Sequence, residues 1–397
     1  KFFKPETPYT DYADCYFPTM ALVNKNKFDN KPIPRIGFNP KTDAAYHFDA
    51  VKFGVWLKNN FCIPKGVKHI EEEIVDIKQN DNGIESINNH KADLFIDCTG
   101  FKSLLLDKTL KVPFESYSDI LVNDSAWATR IKYTDKEKQL VPYTNCTAIE
   151  NGWVWNIPLW SRIGTGYVYS SKFVDDDTAL QQFKKHLKQE DLDFKKIKMR
   201  IGIHQRLWEK NVVAIGLSAG FIEPLESNGL FSVHEFLIKL LRNLQRDKVS
   251  QWDRDNFTFS CKKMFRAFAE FVALHYALSH RDETPYWQYL NNKNWAEELI
   301  SLRPQLIHGF QLAAFDRDKN YRFETEGGLH CIATGMHWSP TDLPSLFYVN
   351  CNANIEHWKK DWDNDIFKLE IKKILYNDFV EDVPTLKEYL ENNIHVN

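Results

Sequence analysis

Glu223 and Glu226 stand three residues apart in Asn211–Leu230, NVVAIGLSAGFIEPLESNGL, between a turn of small residues and the start of a helix. A carboxylate so placed can orient an electrophile or offset positive charge that builds on a substrate. Ser227-Asn228-Gly229 follows at once, and the free N–H groups of a helix start attract anions or the electron-rich edge of a cofactor. Ahead of the carboxylates, Val212-Val213-Ala214-Ile215 is apolar and mostly β-branched, as in a short buried strand. Gly216-Leu217-Ser218-Ala219-Gly220 is small enough for backbone to approach a flat ligand closely. An ordinary strand–turn–helix with a capping glutamate has the same pattern, so this segment alone leaves both readings open.

A second cluster is Gly152–Pro158, GWVWNIP, where Trp153 and Trp155 alternate and so face the same side of a strand. Such a pair suits an aromatic-lined pocket and equally a sheet-face core. His275 lies on the helical stripe of Met264, Phe265, Phe268, Phe271 and Val272. It reads, like His47 and His204, as a hydrogen-bonded core residue rather than a base.

Taken together, AIGLSAGFIEPLESNGL (214–230) and the W-x-W-x-I-P stretch resemble the signatures of flavin-dependent halogenases, the tryptophan-halogenase-like family. AYHFDA (45–50), ADLFIDCTG (92–100), GTGYVYSS (164–171) and HYALSHRDETPYW (275–287) extend the resemblance over nearly the whole chain. It implies a separate flavin reductase that delivers reduced FAD, a halide ion oxidised to hypohalous acid, and a small electron-rich aromatic substrate. By matching positions, Glu226 is the catalytic carboxylate. Asn228 and Gly229 hold the halide. Ile74, Gly216, Leu217, Leu230, Trp153 and Trp155 contact the cofactor. Family members usually carry Thr where this chain has Asn228, which implies an altered halide preference, toward bromide or iodide over chloride. Their Phe-Trp is replaced by Phe323-Glu324 and their Tyr-Tyr by Leu329-His330, so the aromatic cage for free tryptophan looks absent.

The resemblance also implies an upstream strand, a G-x-G-x-x-G turn and a helix that hold the ADP part of FAD, with the catalytic lysine in the same piece. No such turn occurs in these residues, and the chain opens at Lys1 without Met. The expectation is an N-terminally truncated chain, with neither Lys1 nor Lys4 promoted to the catalytic role. The shortened lid over residues 1–40 and Asn228 resemble virus-encoded members. Two further readings stay open: a flavin-dependent aromatic monooxygenase, and a non-catalytic flavin-binding protein.

Composition fits a sizeable enzyme unit. Its 397 residues are 43% hydrophobic, with 12 Trp and 28 Phe, enough for a large core. Net charge is −3 with both signs intermixed, which leaves no nucleic-acid footprint. Seven scattered cysteines without a C-x-x-C pair point to a reducing, cytoplasmic compartment and no structural metal. No apolar run is long enough to span a membrane. A homo-oligomer is compatible with all of this.

The elements that must position these residues follow from periodicity. The pattern predicts a helix over 48–61, a strand over 67–77, a turn at Asn82-Gly83 and a buried strand over 92–97. β-structure is expected over 121–173, a surface helix over 178–190, a helix from Leu230 to Leu244, and closing helices over 366–376 and 385–390. The fold class is α/β. A FAD-binding monooxygenase/halogenase-type sheet domain with a β-rich insert and shortened lid covers 1–240, and a mainly helical substrate domain covers 241–397.

Overall fold

A computed structural model describes Asp14, residues 17–246, 248–299, Ile332, Gly335, Met336 and 371–395. The expected substrate-clamp positions Phe323-Glu324 and Leu329-His330 lie outside the described residues, as do residues 1–13, 15 and 16 of the expected lid.

Helix α1 (Ala50–Leu57) starts on Asp49, whose carboxylate accepts from Val51 N and Lys52 N, and it continues as one π turn over Lys58–Cys62. The predicted strand over 67–77 is not one. Residues 67–76 pair with no ladder, and only from Ile77 does β1 (Ile77–Asn80) zip onto β2 (Gly83–Ile87) across the Asn82-Gly83 turn. Without a partner strand, this stretch is held by Asn88, whose side chain bonds Val75 N, Asp76 N and Glu73 O.

β3 (Phe95–Asp97) buries Phe95 and Asp97 and leaves Ile96 exposed. β4 (Phe114–Ser116) leads to the large sheet, formed by β5 (Ser125–Ile131), β6 (Asn145–Ile149), β7 (Gly152–Leu159), β8 (Arg162–Tyr169) and β9 (Lys195–Lys198). Its spatial order is β6-β7-β8-β5-β9 with antiparallel ladders throughout. Period-2 alternation gives it two buried faces. Ala126, Trp153 and Val168 face the main core. Ile149, Val154, Tyr167 and Tyr169 face helix α2 (Asp176–Leu187), whose Ala179 and Phe183 are fully buried against them.

The remaining strands are β10 (Gly202–His204), β11 (Trp208–Glu209), β12 (Val212–Ala214) and β13 (Gly220–Phe221). β12 pairs in parallel with β3, Ala214 opposite Asp97, while β10 lies between β13 and β4. Helix α3 (Asn228–Leu244) packs on α4 (Gln251–Ala277), which opens with a Ser250/Asp253 capping box. α5 (Pro285–Asn291) and α6 (Leu386–Asn393, capped by Thr385) follow.

The main core runs from Ile84 through the parallel strands and α3 into α4 and α5. The apolar stripe of α3 mostly faces outward. Asn228, Ser232, Phe236, Leu240 and Asn243 are buried, whereas Leu230, Leu237, Leu241 and Leu244 are exposed. The buried face is narrow because Ser232 and Asn243 satisfy their polar atoms on helix carbonyls, Ser232 Oγ donating to Asn228 O and Asn243 Nδ2 to Lys239 O.

Gly166 lies opposite Trp155 in the β7–β8 ladder, and the indole crosses over it. A Cβ there would sit 2.1 Å from Trp155 Cη2 and 2.7 Å from Trp127 O. Gly166→Ala should therefore displace Trp155 and cost about 1–3 kcal/mol. Urea unfolding with tryptophan fluorescence reads both effects, and an unchanged midpoint and spectrum would refute this packing.

Candidate active site

The site is built where the two parallel strands end. After β3 the chain turns through Cys98-Thr99-Gly100, and after β12 through Gly216-Leu217-Ser218. One buried carboxylate organises the first turn. Asp97 Oδ1 accepts from Thr99 N at 3.0 Å and Thr99 Oγ1 at 2.7 Å, and Oδ2 accepts from Leu105 N and Leu106 N at 2.9 Å. Ser218 Oγ donates to Asp97 O and Ile215 O, while Ser103 Oγ donates to Ser218 O at 2.8 Å. The two turns are thereby tied side by side. Gly216 has φ +74, a left-handed backbone that favours glycine.

Pro224–Glu226 is a single 3-10 turn, and Ser227 at φ 53 reverses the chain into α3. The carboxylates on either side of Pro224-Leu225 differ in burial, Glu223 enclosed and Glu226 partly exposed. Glu226 keeps 33% side-chain exposure, and its Oε1 lies 2.8 Å from His275 Nε2. His275 Nδ1 lies 3.2 Å from both Phe271 O and Val272 O of its own helix. Carbonyls only accept, so Nδ1 serves as the donor to the helix while Nε2 faces the Glu226 carboxylate. His275 is thus more than a core histidine, and the sequence reading missed it. Its one signal was its place beside Tyr276 on the stripe that packs under the acidic turn.

Glu223 points inward and is wholly buried. Its Oε2 accepts from Asn123 Nδ2 at 2.9 Å, Trp153 Nε1 at 2.9 Å and Tyr276 OH at 2.7 Å. Burial pushes this carboxyl above the usual range, and the three donors oppose the shift. Trp153 is only 3% exposed, so its N–H serves Glu223 within the core. Trp155 stands beside it with ring centroids 6.1 Å apart, across the ladder from Cys146. Burial, then the charge of Glu226, pushes the Cys146 thiol up to about 11, which places the thiol near that carboxylate.

The residues present fit a flat cofactor. Leu217 and Leu230 stand 44% and 53% exposed, Ile74 37%, and Ile96 of β3 is also uncovered. A Cβ on Gly216 would meet only Val233 Cγ2, at 3.5 Å, and one on Gly229 would meet nothing within 4 Å. The Ser227 side chain makes no cap hydrogen bond, which leaves the first amides of the 17-residue α3 without that partner. The Asn228 side chain turns inward, Nδ2 donating to Glu223 O at 3.4 Å. What the α3 terminus presents is therefore backbone N–H. Among the described residues no group of three or more His, Cys, Asp or Glu could hold a metal, and no helix is long and apolar enough to cross a membrane.

The model of the tryptophan halogenase family matches residues 6–346. The chain belongs to that family. It is 36% identical over 399 residues to the tryptophan 7-halogenase RebH of Lentzea aerocolonigenes, an alignment that spans 96% of this chain and 73% of that one. It is 30% identical over 360 residues to the tryptophan 6-halogenase ThaL of Streptomyces albogriseolus, spanning 85% of this chain and 66% of the relative. Among solved structures, apo VirX1 superposes with TM-score 0.83 at 35% identity over 98% of this chain and 77% of that one. The α/β halogenase fold and the flavin-dependent halogenase assignment drawn from the motifs both hold.

His204 is buried, as the core reading expects, whereas His47 is exposed. His47 bonds Pro158 O and Thr144 Oγ1, and His204 bonds Val112 O. Desolvation pushes both imidazoles below their ordinary 6.5, with carbonyl hydrogen bonds opposing. The folded protein therefore keeps them neutral where the unfolded chain takes up protons. Their contribution is full above pH 6.5 and is lost as pH falls through that value toward the lower folded one. In urea titrations from about pH 7.5 to 5.5, His204→Gln should lose less stability than the wild type. Equal losses would show that His204 does not titrate with folding.

Proposed function

We propose that this chain halogenates an electron-rich aromatic, indole-like substrate with FAD, oxygen and a halide, the FAD reduced by a separate flavin reductase. Bound reduced FAD would supply the electrons with which oxygen and halide become hypohalous acid. The exposed Leu217 and Leu230 beside Gly216 would carry the apolar flavin ring, with backbone close enough to hydrogen-bond its polar edge. Ile74 would border the nucleotide part. Trp155 would line the space beside the acidic turn, with Trp153 holding its strand from within the core. The amides of Asn228 and Gly229 would hold the halide, favoured by the dipole of α3.

Glu226 would orient the hypohalous acid over the ring and offset the positive charge that develops there. The ring carbon gains the halogen and loses its hydrogen as a proton, while the displaced oxygen leaves as water. Glu226, its Oε1 2.8 Å from His275 Nε2, can accept that proton and pass it to the leaving hydroxide. This contact, beside an uncapped helix start, is the observation that carries the reading. Bromide or iodide would be preferred to chloride, because Asn228 turns its side chain inward and a Cβ on Gly229 would meet only open space.

Purified protein given FAD, a flavin reductase, oxygen, equal chloride, bromide and iodide, and a panel of indoles and phenols should give products heavier by one halogen. Glu226→Gln should lower that rate by about 10²-fold or more. A product heavier by one oxygen would establish a monooxygenase instead. Chloride outcompeting the larger halides would overturn the preference and leave the halogenase reading intact.

A further inference from the structure

Glu223 has no role in handling flavin, halide or substrate in the reading above, yet its carboxyl is fully enclosed. Its Oε2 gathers donors from three separate parts of the chain: Asn123 just before β5, Trp153 on β7 and Tyr276 on α4. Its backbone carbonyl accepts from Asn228 at the start of α3. Three of these neighbours adjoin a site residue. Trp155 is two positions from Trp153 on the same strand, His275 precedes Tyr276, and Gly229 follows Asn228.

The acidic turn therefore meets α4 at two points, Glu226 to His275 and Glu223 to Tyr276. One contact would leave the turn free to pivot about it. Two, from carboxylates on either side of Pro224-Leu225 to adjacent residues of one helix, fix its rotation as well as its position. A rigid apolar core residue could fill the space of Glu223, but it would offer Trp153, Asn123 and Tyr276 no acceptor and leave their donors buried and unpaired. Glu223 Oε1 has no partner among the described residues, so the three donors to Oε2 alone set the carboxyl's orientation.

We infer that Glu223 is a positioning residue: through the shared hydrogen bonds of Trp153, Asn123 and Tyr276 it holds the Pro224–Glu226 turn so that Glu226 meets both His275 and the substrate. This gives the first tryptophan of the W-x-W-x-I-P stretch a mechanical task, which is to tie the large sheet to the acidic turn. The inference rests on Glu226 being the carboxylate that acts on the substrate.

Trp153→Phe and Tyr276→Phe each remove one donor and keep an aromatic ring at the position, so both should fold. Each should lower kcat about tenfold, the effect of about 1.4 kcal/mol of lost transition-state stabilisation, with little change in KM for the aromatic substrate. Repeated on the Glu226→Gln background, each should change kcat by less than about twofold, because the residue being positioned is gone. Glu223→Gln should retain more activity than Glu223→Leu. Hydrogen exchange of the amides of residues 225–230 should accelerate in both ring variants, while that of β8 stays as in the wild type. Wild-type kcat in both ring variants, or the same loss on both backgrounds, would overturn the inference. If the wild type halogenates nothing, the proposed function fails by itself, and unchanged exchange over 225–230 in the variants would separately sink the clamp.

Discussion

The parallel pairing of β3 with β12 is the constraint on which the site depends. Strands distant in sequence lie in register, Asp97 beside Ala214, so both chains run out of hydrogen-bonding partners at the same sheet edge. Ligands of α/β proteins collect at such edges because the turns there expose backbone groups with no strand to satisfy them. Asp97 spends both of its oxygens on the first turn, and Ser218 and Ser103 lace that turn to the second. The glycine turn, the acidic turn and the start of α3 follow within fifteen residues of this edge, at Gly216 to Leu230.

A second layer of order comes from two carboxylates in opposite environments. Two residues, Pro224 and Leu225, separate a fully buried Glu223 from a solvent-reaching Glu226. Desolvation makes the buried group costly unless it is densely hydrogen-bonded, which explains the convergence of three donors on it. The outer group needs only one partner, and His275 supplies it while its other ring nitrogen is held by the helix. The division separates a buried carboxyl from a solvent-reaching one across a single turn.

The large sheet serves the same arrangement from the far side. Its strict alternation lets one face pack Val154, Tyr167 and Tyr169 on α2 while the other delivers Trp153 and Trp155 to the main core and the site. Gly166 leaves room for the Trp155 ring, so the position of that indole is set by a missing side chain on the neighbouring strand.

The sequence by itself determined the family, through motifs that are dense and local: the 214–230 stretch, the alternating tryptophans and the strand ending at Cys98-Thr99-Gly100. It also determined β12, α3, the β-rich middle and the Asn82-Gly83 turn, because each depends on neighbours a few residues away. Tertiary structure alone decided what those neighbours cannot encode. Residues 67–76 have strand composition but no partner at ladder distance. The leucine stripe of α3 has ideal period, yet packing chose the face of Ser232, Phe236 and Asn243. Above all, Glu226 and His275 are 49 residues apart, and no periodicity links them. Only the packing of α4 under the acidic turn brings carboxylate and imidazole within 2.8 Å.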